Sequence, residues 1–107
     1  MEEFPLILNS AMKDQGYSVR SLEEEIVNKY GSKKKISRGL IGDYKLGKRA
    51  PTYDRALLLA DVLGVNRKEF LLATFNVKNR TREAAERARF REFCDKKKID
   101  IDWKDSL

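Results

Sequence analysis

The chain has 107 residues, of which 37% are charged and 41% are hydrophobic, and its formal net charge at pH 7 is +6. A chain of this length accommodates one hydrophobic core, so we expect a single domain. The sequence has no histidine, which argues against ordinary acid–base catalysis at neutral pH. It has a single cysteine, which excludes an internal disulfide and a zinc site of cysteine and histidine ligands. We therefore expect no enzyme activity, no metal ion and no other cofactor.

The apolar segments are too short to cross a membrane, since no uninterrupted run approaches 18 residues. The chain starts with Met1 and the acidic residues Glu2 and Glu3, whereas a signal peptide begins with a basic segment. A single free cysteine is compatible with a reducing compartment. We expect a cytoplasmic protein that does not bind a membrane, and no feature indicates a small-molecule ligand.

Positive charge is concentrated in two blocks of the chain. Residues 31–55 carry eight basic and two acidic side chains, and residues 78–98 carry nine basic and four acidic ones. The segment between them, residues 56–77, has equal numbers of each. Such blocks predict a surface with one strongly positive side, which favours a polyanionic partner such as nucleic acid.

The first two predicted elements are helices, because apolar residues recur at steps of three and four. We expect a helix over residues 4–14 that stops at Gly16, and a second that opens at Ser18 and stops at Gly31. In the second helix, the spacing of a serine and a glutamate predicts a capping box formed by Ser21 and Glu24. The residues expected to face the core are Phe4, Ile7, Leu8, Ala11, Val19, Leu22, Ile26 and Tyr30.

A basic segment from Ser32 to Lys35 follows the second helix and is expected to form a loop. Ser37 is a suitable N-cap for a third helix over about residues 38–46, and Gly47 lies where a C-cap glycine belongs. The apolar stripe of this short helix consists of Leu40, Ile41 and Tyr44.

A fourth helix is expected to begin at Thr52 or Tyr53 and to end at Gly64, and Asn66 is expected to cap a fifth. The residues predicted to face inward are Ala56, Leu57, Ala60, Leu63, Phe70, Leu71 and Phe75. No segment has the alternating pattern of a strand. The predicted fold class is therefore all-α, with five short helices in a domain that spans residues 1–77.

The remaining segment, residues 78–107, is expected to contain an additional basic helix over 80–98 and a short tail. Phe90, Phe93, Ile99, Ile101 and Trp103 form an apolar set that should either cover the five-helix domain or pair with a second subunit. Cys94 is expected to be a small buried residue. The basic residues could be a solvated face or could extend a nucleic-acid contact; they are Arg80, Arg82, Arg87, Arg89, Arg91, Lys96, Lys97 and Lys98.

Two motifs separated by six residues resemble those of the lambda-repressor-like (Cro/Xre-type) helix-turn-helix family. They are Gly-Lys-Arg-Ala-Pro-Thr at residues 47–52 and Leu-Ala-Asp-Val-Leu-Gly-Val at residues 59–65. The resemblance extends over about residues 18–74. It implies a five-helix DNA-binding domain with a recognition helix at about 38–46. It also implies a sequence-specific transcriptional regulator of prokaryotic or phage type that binds double-stranded DNA, and the two-fold symmetry of such sites implies a homodimer.

The resemblance assigns individual residues to the DNA contact. The base-reading positions of the family fall on Arg38, Gly39 and Asp43. Arginine can bind guanine with two donors, aspartate can accept from the amino group of cytosine, and glycine permits close approach. The family's phosphate-binding positions, together with the neighbouring lysines, give Ser18, Arg20, Lys33, Lys34, Lys35, Lys45, Lys48 and Arg49.

The sequence departs from the family pattern at two points. The stretch from the start of the second helix at Ser18 to the N-cap of the third at Ser37 spans 20 positions, against about a dozen in the family, so the family's tight turn is not preserved. Lys45 replaces an acidic residue that commonly forms an internal ion pair. An alternative function is therefore kept: an antitoxin-like or other protein-interaction module that uses the helical domain to bind a partner protein. In the plainest alternative, the lysine run at 33–35 and the Arg38 and Asp43 side chains are solvated surface.

Overall fold

The computed structural model describes residues 3–79 and 83–101, and over these residues the chain forms helices and no strand. The all-α expectation is confirmed. The predictions for Arg80, Arg82 and Trp103 lie outside the described residues. The helices are α1 (Phe4–Gln15), α2 (Val19–Tyr30), α3 (Arg38–Leu46), α4 (Tyr53–Leu63), α5 (Arg67–Asn79) and α6 (Glu83–Lys97), with one 3₁₀ turn at Ser32–Lys34.

Helix starts are fixed by short polar side chains. The side-chain oxygens of Ser37, Thr52 and Asn66 accept hydrogen bonds from backbone N–H groups three residues later, at 3.3, 3.3 and 3.1 Å. Each bond satisfies a donor that has no partner within its own helix. The predicted starts of α3, α4 and α5 are confirmed.

The predicted capping box of α2 is wrong in its members. The box is formed by Ser18 and Ser21: each side-chain oxygen accepts from the other residue's backbone N–H, at distances of 3.1 and 2.9 Å. Ser18 has an extended backbone and is the N-cap, so Ser21 occupies the third helical position. Glu24 instead lies 3.5 Å from Arg20, one turn back on the exposed side of α2.

The core of the domain lies between α1, α2, α3, α4 and α5. The Phe4 ring packs against the rings of Phe70 and Tyr44, with centroids 4.8 and 6.3 Å apart. Most residues predicted to face inward are buried or half-buried. Tyr30 is an exception and is exposed, because it is the last residue of α2 and the chain turns away from the core at Gly31.

Helix α6 packs on α5 and on the start of α4 through a cluster of aromatic rings. Phe90 is fully buried and stacks on both Phe75 and Tyr53, with centroid separations of 4.9 Å in each case. Cys94 and Ile101 are also buried in the same core. Of the two roles expected for the C-terminal segment, the described residues show packing on the helical domain.

A buried polar contact accompanies this cluster. The hydroxyl of Tyr53 donates a hydrogen bond to the carboxylate of Glu86, and both residues are buried. Burial and this hydrogen bond raise the pKa of Tyr53 above its usual range. The carboxylate is satisfied without exposure to water, and a guanidinium nitrogen of Arg89 lies 3.9 Å from it. Lys97 contributes a further contact between α6 and α4, at 3.7 Å from Asp54.

Cys94 should be unreactive in the folded protein. Burial raises the pKa of its thiol to about 11, so at neutral pH almost no thiolate is present, and the sulfur is shielded by α6 and its neighbours. We expect an aromatic disulfide reagent at pH 8 to modify the native protein slowly and the denatured protein rapidly. Rapid stoichiometric modification without denaturant would contradict the packing of α6.

Candidate nucleic-acid interface

Helix α3 is anchored to the core on one side and open on the other. Ile41 and Tyr44 are buried, and Tyr44 packs against the ring of Phe4. Arg38 and Gly39 are exposed in the first turn, and an added Cβ at Gly39 would meet no atom within 4 Å. The helix therefore presents a short polar face.

The C-terminal end of α3 is held by backbone and side-chain hydrogen bonds. The Asn9 amide donates to the carbonyl oxygens of Lys45 and Pro5, at 3.0 and 2.7 Å, and so joins α1 to α3. Gly47 has a φ of 75°, and the N–H of Lys48 donates to the carbonyl of Asp43 at 2.9 Å, which is the hydrogen bond of a Schellman motif. This motif fixes the direction of the backbone that carries Lys48 and Arg49 away from α3.

The N-terminal end of α3 is held by a carboxylate from α2. Glu23 Oε2 accepts from the backbone N–H of Arg38 at 2.8 Å, and Glu23 Oε1 accepts from Nε and Nη2 of the same residue at 3.3 and 3.1 Å. The side chain of Glu23 is only 10% exposed, whereas that of Arg38 is 55% exposed. The backbone N–H of Arg38, despite partial burial, holds the pKa of Glu23 below its usual value, and the guanidinium lowers it further.

Two of the proposed base-reading residues already have partners within the chain. Arg38 binds Glu23, and the Asp43 carboxylate lies 3.4 Å from Nε of Arg49, a predicted phosphate-binding residue. The ion pair between Asp43 and Arg49 is half-exposed, so water and salt weaken it. If Asp43 or Arg49 binds DNA, the ion pair between them is exchanged for a contact with the nucleic acid.

The lysine run lies in a groove beside the start of α4. Lys33, Lys34 and Lys35 line an open groove of about 330 Å³ together with residues of α4 and the preceding loop, namely Thr52, Asp54, Arg55 and Leu58. The three lysines are exposed. Cations and a helix N-terminus therefore share this groove, which is suited to an anionic oxygen.

A second groove flanks the other end of α3. It has a volume of about 440 Å³ and is lined by Gly47, Lys48, Arg49, Ala50, Val77, Lys78 and Glu86. The side chains of Lys48 and Arg49 are exposed at its rim. Both predicted cations of the loop after α3 are therefore accessible to a polyanion.

Three other predicted contacts lie outside the two grooves. Ser18 uses its hydroxyl in the capping box, and Arg20 pairs with Glu24 on the surface of α2. Lys45 is half-buried in the last turn of α3. These three residues do not line the grooves formed by the other predicted phosphate-binding residues.

Sequence reasoning did not identify Glu23, Asn9 or Arg55 as parts of this region. A signal for Glu23 is present, because it follows Leu22 and precedes Ile26 by three positions, on the buried face of α2. A charged residue on such a face requires a partner, but its identity depends on the tertiary fold. The partner of Asn9 likewise depends on the tertiary fold, because its amide donates to a carbonyl oxygen in α3.

Comparison of the chain with protein-family models, with curated proteins and with solved structures finds no match. Within residues 3–79 and 83–101, no group of three potential metal-ligating His, Cys, Asp or Glu residues lies close enough to hold an ion. None of the helices in that part of the chain is long and apolar enough to cross a membrane. The interpretation of the region therefore depends on its own geometry and charge.

Proposed function

We propose that the chain is a sequence-specific regulator of transcription that binds double-stranded DNA through a lambda-repressor-like helix-turn-helix domain. In this proposal, α2 and α3 form the motif, and α3 is the recognition helix. The supporting observation is the position of cations at both ends of an exposed α3, with Lys33–Lys35 on one side and Lys48 and Arg49 on the other.

The dimensions of α3 suit this role. An α-helix with its side chains is about 10–12 Å across and fits the major groove of B-DNA, which is about 12 Å wide, and the nine residues of α3 give it a length of about 13 Å. A helix inserted there brings the residues at its two ends close to the phosphates that border the groove. The two basic loops would then bind phosphates while the exposed face of α3 contacts base edges.

The proposal assigns a different role to each of three polar-face residues of α3. Arg38 would donate to guanine, Asp43 would accept from cytosine, and Gly39 would allow close approach. Lys48 and Arg49 would hold phosphates without reading sequence. A homodimer on a two-fold site is part of the proposal, with half-sites about 34 Å apart.

Removal of the cations after α3 tests the phosphate contact. The double variant Lys48→Ala/Arg49→Ala should bind all duplex sequences more weakly, because it loses two contacts to the DNA backbone. The slope of log affinity against log salt concentration should flatten by about one unit per lost contact. Fluorescence anisotropy with labelled duplexes, at a series of salt concentrations, measures both quantities.

A matched control removes one lysine and one arginine elsewhere. Arg67→Ala/Lys68→Ala changes the net charge equally, at exposed positions of α5 that line neither groove. We expect its salt slope to remain that of the wild type. Equal flattening in both double variants would indicate an effect of net charge and would remove Lys48 and Arg49 from the interface.

A further inference from the structure

The carboxylate of Glu23 has an environment unlike that of a surface glutamate. Its side chain is 10% exposed, compared with 60% for Glu24 on the same helix, which pairs with Arg20 in solvent. Within the described part of the chain, every hydrogen bond that Glu23 accepts comes from Arg38. A buried carboxylate with one dedicated partner points to a specific role for that partner's orientation.

The two oxygens of Glu23 control two different parts of Arg38. Oε2 binds the backbone N–H of Arg38, the first residue of α3, and thereby fixes where the helix begins. Oε1 binds Nε and Nη2 and thereby fixes the plane of the guanidinium. One carboxylate on α2 thus orients the backbone and the side chain of the same α3 residue, across the long connection between the helices.

The guanidinium keeps one edge available. Among residues 3–79 and 83–101, Nη1 of Arg38 has no hydrogen-bond partner, and Nη2 uses one of its two hydrogens on Glu23. Bidentate recognition of guanine needs two donors side by side, directed at O6 and N7. The outer edge, formed by Nη1 and the second hydrogen of Nη2, has that arrangement, and the Arg38 side chain is 55% exposed.

We infer that Glu23 is a positioning residue for base recognition, which holds the Arg38 guanidinium with its outer edge directed at a guanine. This inference rests on the proposed function. A guanidinium already held in one orientation loses less conformational freedom when it binds, so Glu23 should increase discrimination at one base pair. It should contribute little to binding of DNA in general.

The test uses the full chain and a duplex chosen by the wild-type protein from a random pool. The base pair read by Arg38 is identified as the one at which Arg38→Ala loses its preference for guanine–cytosine. Affinities are then measured for the selected duplex and for a second duplex in which this pair is replaced. The variant is Glu23→Gln, which keeps an acceptor for the Arg38 backbone N–H and loses the negative charge that holds the guanidinium. The matched control is Glu24→Gln, which removes the same charge from the exposed side of α2.

We expect Glu23→Gln to reduce the affinity ratio of the two duplexes by about tenfold, within the range of one bidentate base contact. Glu24→Gln should leave the ratio unchanged. In the Arg38→Ala background, Glu23→Gln should cause no further loss of the ratio, because the guanidinium on which it acts is absent. Melting curves establish that each variant is folded.

A merely structural Glu23 would give a different result. Glu23→Gln would then weaken both duplexes equally, leave the ratio unchanged and overturn the inference while the proposed function stands. Selection of no sequence by the wild type would instead overturn the proposed function, and the inference with it. If Glu23→Gln does not fold, Glu23→Asp keeps the negative charge but is one methylene shorter and cannot hold the backbone N–H and the guanidinium of Arg38 together, so it must lower the ratio similarly.

Discussion

Replacement of Phe90 with alanine should lower the free energy of unfolding by about 3–5 kcal/mol. The Phe90 ring is fully buried between the rings of Phe75 and Tyr53, so its removal leaves a cavity and separates α6 from the domain. A small domain has a total stability of about 5–15 kcal/mol, so much of the margin would be lost. A denaturant titration followed by circular dichroism measures the change.

Phe93 provides a comparison on the same helix. It is half-buried and touches only the edge of the cluster, with its centroid 5.5 Å from that of Tyr53, so Phe93→Ala should cost less than Phe90→Ala. The loss caused by Phe90→Ala should be independent of protein concentration if the ring completes the core of one subunit. A change below about 1 kcal/mol would contradict the packing of α6.

Replacement of Lys33, Lys34 and Lys35 with alanine should reduce affinity for duplex DNA on the order of 100-fold at about 0.15 M salt. The three lysines line one groove beside the start of α4 and are the densest group of cations near α3. Loss of three phosphate contacts should flatten the salt slope by about 2.7 units. Stability should change little, because all three side chains are exposed.

The control for this variant removes three cations that lie outside the two basic sequence blocks. Lys13→Ala/Arg67→Ala/Lys68→Ala changes three exposed residues of α1 and α5 and lowers the net charge by the same amount. Its salt slope should stay close to that of the wild type. If the two triple variants behave alike, the lysine groove is not a phosphate-binding site.

The sequence predicted those features that depend on neighbouring residues. Ser37 marks the start of α3 and Gly47 marks its end, because an N-cap hydroxyl and a left-handed glycine act on backbone groups within a few positions. The start of α2 at Ser18 was predicted correctly, but its capping box was not, because two serines and a glutamate offered overlapping capping patterns. Only the backbone of Ser18, which is extended, selects the pair formed with Ser21.

The interactions that orient α3 could not be predicted in this way. Glu23 and Arg38 are far apart in sequence, as are Asn9 and Lys45, and each contact exists only after α1 and α2 have packed against α3. Charge patterning predicted a positive surface but not its internal ion pairs. The partnership of Asp43 with Arg49 was therefore missed, although each residue was identified separately.

The most direct test of the account is to sequence the duplex DNA that the wild-type protein retains from a random pool at about 0.15 M salt. We predict enrichment of one motif that contains a guanine–cytosine pair. The Arg38→Ala variant, used in the same selection, should show no preference for guanine–cytosine at that position. Retained DNA with the composition of the input pool, or no retention even at low salt, would contradict sequence-specific DNA binding. The absence of all retention would favour the alternative of a protein-interaction module.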